Sequence, residues 1–368
     1  MSKLVKIILV ILLLASFSAL LYIYEYEYNT ASIDPMVTEV TENFINTFWD
    51  SEKNYFYHNN TRKTDFVHFA GPLLGRYTDF WLEAQNWETV MDIYERQGTD
   101  FYRQMIDKVY DGCLLFYPDF TRNSYNDDIG WWAMGCTRAY KLTGNAKYLY
   151  AAKSMFDYIY SNWTQDAGGG IFWNADRIDK NVCTNAPAAT TAARLSILLG
   201  DHSYLQKGIA LFEWVKDNLY DEQTGKLDDT KRIDGTILQW QFSYNYGTFA
   251  RAAYELYIAT GKETYLEYVI KPLDYLLATK ATDGILHSEG DGDGSAFRTI
   301  YLRTLNMAKV LKPEYQEVIN KNALATYNNR RASDQLNGHD WSIPPAEGEI
   351  ISCTLVATSV SLMQFYVA

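Results

Sequence analysis

Four times along this chain a glycine ends an apolar segment and a tyrosine follows four residues later: Gly98 and Tyr102, Gly144 and Tyr148, Gly200 and Tyr204, Gly261 and Tyr265. In the last three a leucine comes next, Leu149, Leu205 or Leu266, and a worn copy without the glycine ends at Tyr315 after Leu311-Lys312-Pro313. Glycine tolerates the left-handed conformation that closes a helix, so each copy predicts a helix, a glycine cap, a short turn and a second helix. The tyrosines stand 46, 56, 61 and 50 residues apart. Helical hairpins at such intervals stack to bury a shared core, and uneven periods mean loops of unequal length between them. Five visible hairpins with helical material on either side predict six. The apolar run from Ser352 to Tyr366 is placed to complete a ring. The expectation is an all-α fold, an (α/α)6 toroid or barrel of helical hairpins. Its long inter-unit loops would gather at one end and form a cleft. Two glycine-rich stretches, 168–173 and 284–287, look strand-like within those loops.

Of 368 residues, 48% are hydrophobic and 15% aromatic, so the chain can fill a large core and still line a cleft with rings. A net charge of −12 argues against nucleic acid and anionic membrane surfaces as partners and favours a neutral ligand. Lys3 and Lys6 precede an apolar run from Ile7 to about Tyr24, which reads as an export signal, either cleaved or kept as a membrane anchor. Residues 1–28 are assigned to that segment and 33–368 to one catalytic domain, acting outside the cytoplasm. The four cysteines (Cys113, Cys136, Cys183, Cys353) are too few and too scattered for a disulfide scaffold or a zinc pair. The stretch Gly290-Asp291-Gly292-Asp293-Gly294 opens like a calcium loop, but Ala296 and Leu302 stand where that loop needs glycine and an acid. Neither metal nor cofactor is expected.

The chain has no GxSxG elbow, P-loop or HExxH motif, which leaves carboxylates as its chemistry. Asp127 and Asp128 open a helical segment, with Trp131 and Trp132 one turn on. Rings three or four residues away lie against the carboxyls, a setting that raises carboxyl pKa values and suits sugar rings. The plainer alternative makes Asn126 an N-cap and the aspartates partners of the helix dipole. If both are catalytic in glycoside hydrolysis, adjacency favours the close spacing of a retaining pair.

The segment Tyr125-Asn126-Asp127-Asp128 with Trp131-Trp132 resembles the catalytic stretch of glycoside hydrolase family 76, the endo-α-1,6-mannanases and their fungal cell-wall relatives. Three further segments resemble that family in the same order: Lys180-Asn181-x-x-Thr184-Asn185, Ser243-Tyr244-Asn245-Tyr246-Gly247, and Phe297-Arg298-Thr299-Ile300-Tyr301-Leu302-Arg303. The family fold is itself an (α/α)6 barrel. Tyr246, Arg298 and Thr299 depart from the family's glutamine, lysine and glycine, which bears on subsite contacts rather than on the reaction.

The resemblance implies Asp127 as nucleophile and Asp128 as general acid/base, on α-mannan or a mannose-containing oligosaccharide, by a monomer. Asn126, Trp131, Trp132, Trp173, Lys180, Asn185, Tyr244, Asn245 and Arg298 are the candidate substrate contacts. Asn185 and Asn245 could equally cap helices, Trp173 and Trp240 could be core, and Arg298 and Arg303 could belong to structural ion pairs. Three alternatives stand beside hydrolysis: transglycosylation onto wall glycan, a silent glycan-binding surface protein, and another toroid enzyme such as an unsaturated glucuronyl hydrolase.

Overall fold

Glycines 98, 144, 200 and 261 all adopt left-handed φ values, between 65° and 68°, and each closes a helix. The computed structural model describes residues 33–368. The expected export or anchor segment lies outside these residues. Among the described residues, no helix is long and apolar enough to cross a membrane.

The principal helices are α1 (Pro35–Phe48), α2 (Phe80–Gln97), α3 (Asp100–Phe116), α4 (Asn126–Thr143), α5 (Ala146–Tyr160) and α6 (Val182–Leu199). They continue with α7 (His202–Leu219), α8 (Ser243–Thr260), α9 (Thr264–Lys280), α10 (Gly294–Ala308), α11 (Tyr315–Asn328) and α12 (Cys353–Phe365). The even-numbered helices form an inner ring: α2 packs on α4, α4 on α6, α6 on α8, α8 on α10, α10 on α12, and α12 back on α2. The odd-numbered helices surround them, and α1 packs on α12, so the first and last helices make the sixth pair. This is the (α/α)6 toroid.

Inner helices are covered on every side, and their sequences show it. In α6 every residue from Val182 to Ser196 is buried, and small residues (Ala186, Ala188, Ala189, Ala192, Ala193) let neighbours approach. A Cβ at Gly247 of α8 would come within 2.7 Å of the Tyr301 Cα on α10, so only glycine permits that approach. Outer helices carry one buried stripe, which includes the repeat tyrosines. Three of the five hydroxyls bind the preceding outer helix: Tyr148 donates to Asp107 Oδ1 at 2.6 Å, Tyr204 to Asp157 Oδ1 at 3.0 Å, and Tyr315 to Asp274 Oδ1 at 2.9 Å.

Turns from inner to outer helices are short, and the long connections all run from outer to inner. The N-termini of the inner helices therefore collect at the loop-rich end. There the strands β1 (Trp49–Asp50) and β2 (Tyr55–Phe56) pair, as do β6 (Ala281–Thr282) and β7 (Ile285–Leu286). The antiparallel sheet of β3 (Asp179–Asn181), β4 (Thr230–Arg232) and β5 (Ile237–Leu238) joins two connections, with Lys180 opposite Lys231. The strand-like stretch at 284–287 coincides with β7, whereas 168–170 is a turn with all three glycines at positive φ. Only Ile171 there makes a bridge, to Trp163.

Candidate active site

A cleft of about 820 Å³ opens at this end of the ring. Asp127 and Asp128 line it from the first turn of α4, with Asp79 before α2, Cys183 of α6, Tyr244 of α8, and Asp293 and Phe297 at the head of α10. The β3–β5 sheet adds Asp179, Asn181, Thr230, Arg232 and Leu238, while Trp81, Trp131, Trp173, Trp240 and Phe242 supply aromatic surface. Six aspartates face a single arginine, so an anionic substrate is disfavoured. The expected glucuronyl-type alternative loses its electrostatic basis here.

Asn126 does not cap α4. Tyr125 is the cap residue and offers no side-chain bond, while Asn126 lies inside the helix. Its backbone N–H donates to the Trp173 carbonyl at 2.7 Å and its side-chain amide to the Phe172 carbonyl at 2.8 Å. The dyad is thereby fixed against the loop that carries Trp173.

The two carboxyls have different surroundings. Asp127 Oδ2 accepts from the Cys183 thiol at 3.3 Å, and Asp127 Oδ1, buried, has no hydrogen-bond partner among the described residues. Asp128 Oδ2 accepts from Asn123 Nδ2 at 3.0 Å. Burial raises the pKa of both. For Asp127 this is opposed by the thiol, the Trp173 indole and the amides at the helix start. Asp128 is pushed further, because the Asp127 and Asp79 charges add to its burial. Such a pair holds one proton in common over a wide pH range, with Asp128 the better host.

Asp229 is set between Tyr244, whose hydroxyl donates at 3.2 Å, and Asn245, whose amide donates at 2.7 Å. Asp79 caps α2 through the Leu82 N–H at 3.0 Å, and its burial lifts it to about 6. Asp293 accepts from the Trp81 indole at 3.0 Å.

Of the predicted substrate contacts, Trp131, Trp173 and Tyr244 face the cleft, as does Trp240. The remainder do not line it. Trp132 is core: it stacks on Trp87 at 5.1 Å and donates to the Phe80 carbonyl at 2.8 Å. Lys180 is buried beneath the glycine-rich turn, its ammonium held by the carbonyls of Thr164, Asp166 and Gly169 at 2.7–3.1 Å. Asn185 neither caps a helix nor reaches the cleft; it pairs with both the N–H (2.7 Å) and the carbonyl (3.1 Å) of Ile171. Asn245 orients Asp229 rather than facing the cleft. Arg298 lies against the Trp341 ring, 3.5 Å from its centroid, and donates to the His339 carbonyl at 2.6 Å. Arg303 is a structural ion pair with Asp92 at 2.7 Å, far from the dyad in the hydrogen-bond network.

Asp79, Asp229, Asp293 and Cys183 are cleft residues the sequence did not point to. Cys183 occupies an unassigned position of the Lys180–Asn185 segment, and Asp229 reaches the site only through pairing of β3 with β4.

Fold and site together define a class: an (α/α)6 toroid whose inner-helix N-termini hold a buried aspartate pair in an aromatic cleft. The chain belongs to glycosyl hydrolase family 76, whose model matches residues 32–362. It is 25% identical over 283 residues to the mannan endo-1,6-alpha-mannosidase DCW1 of Saccharomyces cerevisiae, covering 68% of this chain and 62% of that protein. It is 25% identical over 280 residues to the mannan endo-1,6-alpha-mannosidase DFG5 of Candida albicans, covering 68% and 60%. The chain thus matches about three fifths of the length of these curated relatives. Among solved structures, the GH76A alpha-1,6-mannanase of Salegentibacter sp. HEL1_6 superposes with a TM-score of 0.81 at 27% identity, covering 90% of this chain and 97% of that one. An inactive variant of that mannanase, with two adjacent aspartates replaced by asparagine, is known in complex with alpha-1,6-mannotriose.

Proposed function

We propose that this chain is a retaining glycoside hydrolase that cleaves α-1,6-mannosidic linkages, with Asp127 as nucleophile and Asp128 as acid/base. The observation that carries the reading is the unequal environment of the two carboxyls. Asp127 has donors that favour its anion, while Asp128 faces two other carboxylates and keeps a proton.

In the first step Asp128 gives that proton to the glycosidic oxygen, and the leaving chain departs as an alcohol. The unpartnered Asp127 Oδ1 attacks the anomeric carbon, forming a covalent glycosyl ester with inverted configuration. In the second step the Asp128 carboxylate takes a proton from water, whose oxygen displaces Asp127 and restores the configuration. Trp240, 57% exposed, and the partly exposed Trp173 are the cleft rings on which neutral pyranoses can stack, while Trp131 is buried behind them.

Similarity to the DCW1 and DFG5 mannosidases and to the Salegentibacter mannanase supports mannan as the substrate class. Lys3, Lys6 and the apolar run to Tyr24 support export, with the domain from residue 33 working as a monomer outside the cytoplasm.

The test is incubation of purified protein with linear α-1,6-manno-oligosaccharides while the anomer of the first product is followed by NMR. Shortened chains with an initial α-anomer are expected. An initial β-anomer refutes retention, elongated products without hydrolysis assign the protein as a transglycosidase, and no change in any manno-oligosaccharide refutes the substrate class.

A further inference from the structure

The long connection between α1 and α2 carries His58, Asp65 and His68, three of the residue types that bind metals, with no part in the chemistry above. His58 is 5% exposed. Its backbone is tied on both sides: its N–H donates to the Arg76 carbonyl at 2.9 Å, and its carbonyl accepts from the Cys353 N–H at 2.8 Å. Its imidazole has no hydrogen-bond partner among the described residues. The ring faces that of His68 with centroids 4.9 Å apart, and His68 Nδ1 lies 2.9 Å from Asp65 Oδ2. One donor atom from each of the three side chains lies within 4.8 Å of the other two.

We propose that His58, Asp65 and His68 form a binding site for a divalent transition-metal ion of the zinc type, which clamps the 57–77 connection onto the rim of the cleft. Two imidazoles and one carboxylate suit such an ion; calcium and magnesium prefer all-oxygen sets. Zinc bonds of about 2.0–2.2 Å need donors a little over 3 Å apart, a closure that side-chain rotation of the half-exposed His68 can supply.

The clamp has something to hold. Between and beyond its ligands stand Phe66, Val67 and Phe69, which are 75%, 81% and 68% exposed, and Ala70, which lines the cleft. Leu73 and Leu74 follow in left-handed backbone, a conformation costly for leucine. Apart from the single turn at Pro72–Gly75, this connection has no helix, and cross-linking it through His58 fixes it to the buried β-bridge at Asn59–Ser352. The metal therefore acts on the rim, at a distance from bond cleavage, and its loss should loosen the connection without unfolding the toroid.

Full-length protein freed of metal with a chelator is titrated with zinc chloride by calorimetry, and with cobalt for its visible spectrum. One equivalent of zinc is expected at micromolar affinity or tighter, with a cobalt absorption typical of low coordination number. His68→Ala, at a partly exposed position, should weaken zinc about 100-fold, and Asp65→Asn at least about 10-fold. Zinc should also slow tryptic cleavage after Arg62 and Lys63 in the unaltered protein and not in His68→Ala. Both variants alter surface-accessible groups and spare the buried His58, so folding is retained. Absence of stoichiometric zinc binding overturns the proposal, as does equal zinc affinity or equal protection in His68→Ala.

Discussion

The thiol of Cys183 donates to Asp127 Oδ2 at 3.3 Å, joining the first turns of two neighbouring inner helices. Burial and the carboxylates of Asp127 and Asp229 push this thiol well above its usual range, so it stays protonated and remains a donor. It favours the Asp127 anion, the form required of the proposed nucleophile. Cys183→Ala removes the donor and raises the Asp127 pKa. The acid limb of kcat/KM should move to higher pH by about half a unit to one unit, since each unit corresponds to about 1.4 kcal/mol. Cys183→Ser, which restores a donor, should bring the limb back. An unmoved limb in Cys183→Ala would show that the thiol does not tune Asp127.

The two aspartates should separate by leaving group. Asp127→Asn is expected to lose several powers of ten on every substrate, because no covalent ester can form. Asp128→Asn should lose as much on mannan but far less in the first step with an aryl mannoside whose leaving group needs no proton. Burst kinetics with such a substrate would report accumulation of the ester. Equal losses on both substrates for Asp128→Asn would remove it from the role of acid.

How far the sequence reached can be judged from single residues. Gly98, Gly144, Gly200 and Gly261 were legible because a left-handed cap has few alternatives to glycine, and with them came the ring of hairpins. The partners of the repeat tyrosines were not: Asp107, Asp157 and Asp274 lie 41 to 47 residues upstream on other helices, with no local signal. At the site, adjacency made Asp127 and Asp128 visible, Tyr244 came with its motif, and Trp173 stood at the end of the glycine-rich stretch. Lys180 and Asn185 were misplaced for a physical reason. A turn with three left-handed glycines leaves buried carbonyls and amides in need of partners, and residues that meet this need look in sequence like ligand contacts. Asp229 was hidden because strand pairing brings it in.

Glu83 gives the protein an acid-leaning stability. It is fully buried on α2, accepts from the Phe56 N–H at 3.2 Å and from Thr78 and Asn86, and burial lifts it to about 8. The unfolded chain releases this proton near 4.5. Between those values the folded state holds a proton that the unfolded state has lost, so stability falls as pH rises through the window. Glu83→Gln removes the titration. It should be near neutral at pH 5 and stabilising by a few kcal/mol at pH 8 to 9, read from urea midpoints at both pH values. A variant equally stable or less stable than the parent at pH 8 would contradict this.

Arg303 is the stay that holds three inner helices together. From α10 its Nε donates to Asp92 Oδ2 at 2.7 Å and Nη1 to Gln85 Oε1 at 3.0 Å, both on α2, while Nη2 reaches Ser361 on α12 at 3.2 Å. The Arg303 and Arg138 guanidiniums outweigh burial and hold the Asp92 carboxyl below its usual range. Removing one partner of a buried pair strands the other charge, at a cost of about 3–5 kcal/mol, whereas replacing both with apolar residues can be neutral. Arg138 remains 2.7 Å from Asp92 Oδ1, so Arg303→Met should fall at the low end of that range. Asp92→Leu alone takes from Arg303 its carboxylate partner, while Arg138 keeps Glu88 and Glu95, and should fall in the same range. The double variant should recover part of the sum, a coupling that equilibrium denaturation of all four proteins measures directly. Strictly additive losses would mean that the pair does not act as a unit. Because these contacts lie away from the dyad, the folded fraction of Arg303→Met should keep the pH profile of the parent, which distinguishes a stay of the ring from a residue of the site.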